Sequence, residues 1–309
     1  MRVVVAGSSG LIGSALRAAL EDAGHVVDRL VRPGVAAPGG IPWDPGARRL
    51  EPAALEGADA VVNLGGRSIG ERRWDEAEKR LIGDSRVVPT RLLTETLAGL
   101  HSPPRVLLNA SAVGIYGNRP GERLTEASVP GEGFFAGVCR DWEAATAPAA
   151  EAGVRVACLR SGLVLSREGG ALGRVLAPLG PRWLSPYRWG LGGWLGDGSQ
   201  VWSWITLEDE VQAILHLLSS DLAGPVNLTA PDPADNKRFM KAVGRALGRP
   251  VWLPIPRLVP RALLGRGLAD ATLFDSQAVY PERLVGDGFR FAFPDLAGAL
   301  ESVLGRARA

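Results

Sequence analysis

The sequence predicts an α/β protein, a doubly wound parallel sheet with a smaller C-terminal lobe. Short apolar runs alternate with longer helical patterns through the first half of the 309 residues, the pattern of βαβ units feeding a parallel sheet. A glycine-rich turn follows the first apolar run and opens a helix. Beyond about residue 165 the alternation becomes irregular, which marks a second, smaller lobe.

The strand candidates are Val3–Ala6, Val26–Val31, Ala60–Leu64, Val106–Ala110 and Val154–Leu159. The last four are nearly uninterrupted apolar stretches, as strands covered on both faces require. Helical patterns occupy Leu11–Ala23, Asp75–Leu97 and about Phe135–Ala152, while Pro33–Pro52 reads as a surface excursion rich in Gly and Pro. In the second half a short helix is expected over Ala171–Leu176. A glycine-rich loop follows over Gly180–Gly198, carrying Trp183, Trp189 and Trp194. Leu207–Leu218 is helical, Val226–Leu228 strand-like, and Asp235–Leu247 helical with Asp235 or Asn236 as N-cap. Pro254, Pro256 and Pro260 mark a linker, and Pro294 opens a last helix. The division expected is a nucleotide-binding core in residues 1–165, rejoined by 203–230, and a lobe made mainly of 166–309.

Composition narrows the function. Cys139 and Cys158 are the two cysteines, and the three histidines stand alone, which excludes a disulfide framework and a metal site. No apolar run approaches the roughly 18 residues of a membrane span, and no secretory signal precedes Val3, so a cytoplasmic location is expected. The formal net charge is +2 and the arginines are scattered, without the concentrated stripe of a nucleic-acid surface. The partner expected is a small-molecule substrate, and the aromatic loop either closes over it or forms a packed lobe interface or a contact with a second copy of the chain.

The strongest motif is Gly7-Ser8-Ser9-Gly10-Leu11-Ile12-Gly13. Gly7 permits a tight turn, Gly10 a close backbone approach to a pyrophosphate, and Gly13 close helix–strand packing. The helix start then offers free N–H groups to the phosphates. An acidic residue at the end of the second strand would accept from a ribose 2′-hydroxyl and select NAD. Here Asp28 lies inside the strand and Arg32 stands at its end, where a guanidinium can pair with a 2′-phosphate. The cofactor expected is NADP(H), on a Rossmann-type core.

These motifs resemble those of extended short-chain dehydrogenases/reductases of the NAD-dependent epimerase/dehydratase type. Gly7 to Gly13 matches the family's G-x-x-G-x-x-G. The run from Asp59 to Gly66 resembles its third-strand cofactor motif, implying contacts from Asn63, Leu64, Gly65 and Gly66. Ser111 to Gly117 resembles the active-site serine segment, and Leu159 to Val164 the segment passing the nicotinamide, implying Ser161, Gly162 and Leu163. Asp84-Ser85-Arg86, Cys139 to Glu143, Trp202 to Ile205, Val226 to Pro231, Tyr280-Pro281 and Gly288 to Phe291 resemble an epimerase-like branch whose C-terminal domain has no known function. That branch has His where this chain has Thr206.

The family's Tyr-x-x-x-Lys pair is absent. Four residues after Tyr116, Tyr187 and Tyr280 stand Pro120, Leu191 and Leu284. Alignment on Glu143 puts Phe135 at the tyrosine position and Cys139 at the lysine position, and neither side chain can do the work of the residue it replaces. Ser111 and Tyr116 become the catalytic candidates: Ser111 to hydrogen-bond a carbonyl or merely cap a loop, Tyr116 to give a proton or shape the pocket. Cys139 reads as a thiolate or, more ordinarily, a small buried filler, and Glu143 as a base or a structural ion pair. The expected function is an NADP(H)-binding, epimerase-like oxidoreductase acting on a small carbonyl, alcohol or sugar-like compound. The alternatives are a non-catalytic NADP(H) sensor or docking protein, and a nucleotide-sugar epimerase using Arg174, Arg182 and Arg188.

Overall fold

The fold is given by a computed structural model that describes residues 1–35, 39–170, 172–173 and 192–305. Eight strands form one sheet: β1 (Arg2–Ala6), β2 (Val26–Val31), β3 (Ile41–Asp44), β4 (Arg49–Leu50), β5 (Ala60–Asn63), β6 (Val106–Ala112), β7 (Arg155–Ser161) and β8 (Gly224–Leu228). Their spatial order is β8-β7-β6-β5-β1-β2-β3-β4. Neighbours run parallel except the antiparallel β3–β4 pair. This is the doubly wound Rossmann arrangement, and strand order reverses between β1 and β5, where a crevice opens at the strand ends.

Alternation along each strand divides the core. Val3 and Val5 face a layer holding Leu16 and Leu20 of α1 (Leu11–Asp22). Val4 and Ala6 face Leu93 and Leu97 of α2 (Glu76–Ala98). With α3 (Phe134–Ala144) and α4 (Leu207–Ser219), the helices cover both sheet faces, which explains why the strands read as continuous apolar runs. A separate core gathers Trp202, Trp204, Phe239, Phe274 and Leu300, from short strands and from α5 (Asn236–Leu247) and α6 (Leu296–Leu304).

Several boundaries differ from expectation for local reasons. The Pro33–Pro52 excursion contains the two sheet strands β3 and β4. Pro42 is tolerated at the second position of β3 because that strand is four residues long and near the sheet edge. The helix expected to about Ala152 ends at Ala144, and a second helix, Ala147–Glu151, begins with Pro148 in its first turn. The proline-marked linker contains a strand, Val251–Ile255, paired with Gly192–Leu195, and a helix, Leu258–Leu264. Asp235 caps α5 by accepting from the Arg238 N–H, and Asp295 caps α6 through Gly298. The Ala171–Leu176 helix, Trp183, Trp189 and the three arginines Arg174, Arg182 and Arg188 lie wholly or mostly outside the described residues. Among the described residues, no helix is long and apolar enough to cross a membrane, and no His, Cys, Asp and Glu group could hold a metal.

Candidate functional site

The Gly7–Gly13 turn sits at the β1/β5 switch point. Gly7 has φ +77°, and a Cβ there would lie 2.7 Å from the Leu64 carbonyl carbon. A Cβ on Gly13 would lie 2.1 Å from the Gly7 carbonyl oxygen. The Gly10 N–H closes the turn on that same oxygen at 3.0 Å, and Gly10 is the N-cap of α1. The loop is thus drawn into a cradle that side chains at Gly7 or Gly13 would fill, with Ser9 and Gly10 exposed and Ser8, Leu11 and Ile12 half-buried along its rim. The free N–H groups at the start of α1 suit it to a pyrophosphate.

Inside β2, Asp28 is held by Arg2, whose Nε donates to its carboxylate at 2.8 Å. Arg32 is the first residue past the strand and is exposed. Across the switch point, Asn63 is buried and works inward. Its Nδ2 donates to Thr90 at 2.9 Å and Asn109 at 2.7 Å, and its Oδ1 accepts from the Gly65 N–H. Asn63 therefore shapes the Leu64–Gly66 loop rather than facing a ligand with its side chain.

That loop continues onto Arg67, which α2 anchors. The Arg67 N–H donates to Ser85 at 3.1 Å, its guanidinium grips Glu78, and Arg86 donates to its carbonyl at 2.9 Å. Arg86 is buried against Gly66 and over the Trp142 ring, with its Nε unpaired, and burial lowers its pKa. As a charged residue on a helix it reads as solvated; only the matched Asp84-Ser85-Arg86 run hinted otherwise.

The Ser161–Leu163 segment closes the third side. Ser161 donates to Glu210 at 2.6 Å, and Glu210 is fully enclosed on α4 with its second oxygen unpaired. Burial pushes the Glu210 carboxyl up to about 8. Gly162 has no room for a Cβ against the Ser203 carbonyl, and Leu163 starts a short strand beside Trp204–Thr206. Thr206, where the branch has His, caps α4 by accepting from Asp209. Farther on, Gly170 packs on Leu11, joining this segment to the phosphate-type turn.

Ser111 and Tyr116 belong to one buried network. Ser111 donates to Glu143 at 2.7 Å, and Arg160 binds both oxygens of that carboxylate at 2.8 Å. Burial opposes the Arg160 charge, but its bonds to Glu143 outweigh that and raise its pKa. Arg160 also donates to the Tyr116 hydroxyl at 3.0 Å, and that hydroxyl donates to Asn227 at 2.7 Å. Tyr116 has no exposure, and burial raises its pKa above the ordinary tyrosine value. Its hydroxyl is packed inside, a placement that suits the second of its two expected roles, shaping the pocket, and not the giving of a proton. Cys139 is likewise buried, its thiol pushed up to about 12 chiefly by burial, as a filler.

In front of this network lies a cleft of about 260 Å³. Trp74, Phe134 and Phe135 make an aromatic wall; Gly114 and Gly117 form its floor; Asp270, Asp275 and Gln277 come from the C-terminal lobe. Phe135, which the alignment on Glu143 puts at the family's tyrosine position, packs so closely on Gly114 that a Cβ there would lie 2.2 Å from its ring.

Comparison with known proteins agrees with this geometry. The NAD dependent epimerase/dehydratase family matches residues 3–228, and a domain of unknown function matches 255–303. The chain is 44% identical over 299 residues to the epimerase family protein Mb2239 of Mycobacterium bovis, covering 96% of each. It is similar to the crystal structure of human epimerase family protein SDR39U1 (isoform 2) with NADPH, with TM-score 0.87 and 34% identity over 98% of this chain and 99% of that one. A nucleoside-diphosphate sugar epimerase from Corynebacterium glutamicum gives TM-score 0.78 at 34% identity, over 99% of this chain and 58% of that one. The α/β fold, the Rossmann-type sheet and the family expected from the motifs are all shown. The chain belongs to the NAD dependent epimerase/dehydratase family.

Proposed function

We propose that the chain binds NADP(H) across the β1/β5 switch point and uses it to reduce or oxidise a small carbonyl or alcohol compound. The observation that carries the cofactor choice is at β2: Asp28 is committed to Arg2, while Arg32 stands exposed just past the strand. The pyrophosphate rests on the backbone of Gly7–Gly13 and the α1 N-terminus. Arg32 pairs with the 2′-phosphate. The backbone of Leu64, Gly65 and Gly66, shaped by Asn63, borders one side, and Ser161, Gly162 and Leu163 border the nicotinamide end. The human relative crystallised with NADPH supports the same choice.

The bound cofactor supplies hydride chemistry; the chain's own residues orient the reactants and handle the proton. Ser111 and Tyr116 act here as positioning residues. Their network with Glu143, Arg160 and Asn227 fixes the Gly114–Gly117 floor under the substrate. Phe135 and the other aromatics exclude water and favour a small, partly apolar substrate.

A non-catalytic sensor is the second reading, favoured by Phe135 and Cys139 at the family's proton-transfer positions. One experiment separates the two. NADPH and NADH are titrated by fluorescence, then NADPH oxidation is followed with benzaldehyde, phenylglyoxal and methylglyoxal. The expected outcome is tighter NADPH binding and turnover of at least one carbonyl. Tight binding with no turnover on any carbonyl or alcohol supports the sensor, and preference for NADH overturns the Arg32 assignment.

A further inference from the structure

The cleft lacks the family's tyrosine, yet one wall carries an acid that no hydrogen bond occupies among the described residues. Residues Asp270–Phe274 form a π-helical turn closed by the Asp275 N–H on the Asp270 carbonyl at 2.9 Å. Such turns are uncommon and concentrate at functional sites. Both carboxylates line the cleft, but they are used differently. Asp270 accepts from Arg261 at 2.8 Å and lies 3.9 Å from Arg266. The Asp275 side chain has no hydrogen-bond or ion-pair partner among the described residues.

We infer that Asp275 is the proton donor and acceptor of the cleft, serving a small carbonyl or alcohol seated against Phe135. The inference rests on the oxidoreductase reading above. In the reducing direction, the carbonyl carbon receives hydride from the reduced nicotinamide and the C=O π bond breaks. The carbonyl oxygen takes the Asp275 proton, leaving an alcohol, oxidised cofactor and the Asp275 carboxylate. Water then returns the proton. The oxidising direction runs these transfers in reverse.

The environment suits the task. Burial, and then the negative charge of Asp270, push the Asp275 carboxyl up to about 6, so both protonation states are accessible near neutrality, as general acid–base work needs. The other charged groups lining the cleft are Lys79 from α2, which bonds Glu76 at 2.8 Å, and Glu132 ahead of α3. Arg261 and Arg266 are turned onto Asp270. None of these is placed on the Asp275 carboxylate.

The test compares wild type with Asp275→Asn and Asp275→Glu, using NADPH with the three carbonyls named above. Asn is nearly isosteric, and thermal melts with circular dichroism verify folding. D275N should bind NADPH as wild type does and lose about a hundredfold or more in kcat. Wild-type kcat for reduction should fall as pH rises through the Asp275 titration, a limb that D275N lacks and D275E displaces along the pH axis. If D275N does not fold, D275E decides alone: a pH limb identical to wild type, with unchanged kcat, overturns the proposal. D275N turnover within about threefold of wild type, or a limb that persists in D275N, also overturns it. A wild-type chain that binds NADPH but turns over no carbonyl or alcohol overturns the oxidoreductase reading and this proposal together, which separates the two failures.

Discussion

Ser111 donates its hydroxyl to Glu143, 2.7 Å away, and the same carboxylate is clasped by both arms of the Arg160 guanidinium. The family's serine is thus tied to a buried ion pair that also reaches Tyr116 and Asn227. The serine segment is anchored by this network, and Asp270, Asp275 and Gln277 line the cleft beside Gly114 and Gly117.

The first prediction tests that anchor. Glu143→Ala leaves the Arg160 guanidinium buried without its partner, and uncompensated buried charges cost about 3–5 kcal/mol. Urea unfolding should show a loss of this order. Glu143→Gln keeps an acceptor for Ser111 but not the charge, and should fall between wild type and E143A. Equal stability of wild type and both variants would show that the pair contributes nothing.

Arg32 gives a cofactor prediction. A charged hydrogen bond is worth about 1.5–3 kcal/mol, so Arg32→Ala should weaken NADPH by about tenfold to a hundredfold. NADH, which has no 2′-phosphate, should change little. Isothermal titration with both cofactors reads the difference directly; parallel losses for the two would move the 2′-phosphate contact to another residue.

Glycine at position 13 is a steric requirement. A Cβ there would lie 2.1 Å from the Gly7 carbonyl oxygen, which is rigid backbone. Gly13→Ala should lose measurable NADPH binding and destabilise the fold by about 1–3 kcal/mol, the usual cost of overpacking. Gly83 is the contrasting case: it lies inside α2 with open space around it. Gly83→Ala should stabilise the chain by about 1 kcal/mol and leave cofactor affinity alone. Thermal melts and NADPH titration on both variants check the pair.

The sheet and the glycine turn were legible because each has a local cause. Parallel strands covered twice must be apolar throughout, and a backbone cradle must lack Cβ atoms at fixed spacing. Arg86, Glu78 and Glu210 were not legible, since nothing in a helical charge pattern tells a solvated residue from one the tertiary fold encloses. Asp275 was hidden twice. It directly follows a five-residue π turn with no periodic signature, and its importance depends on Phe135, brought to the same cleft by another element. For Tyr116, the place in the motif is visible in the sequence, but the enclosure by Arg160 and Asn227 is not.

Glu210 yields the last prediction, a pH dependence of stability. It is enclosed on α4, accepts only the Ser161 hydroxyl, and burial raises its carboxyl from 4.5 to about 8. The folded chain therefore holds this proton across a range in which the unfolded chain has released it. Its contribution is fully present below about 4.5, the unfolded value, and is lost as pH rises through about 8. Between those limits stability should decline by up to about 1.4 kcal/mol per pH unit from this group. Glu210→Gln keeps the acceptor for Ser161 and removes the titration. Urea melts at about pH 5 and about pH 8 should show the variant gaining on wild type as pH rises. A constant difference between the two proteins across that interval would mean that the folded chain releases the Glu210 proton as readily as the unfolded one, and that its unpaired oxygen finds a partner in solution.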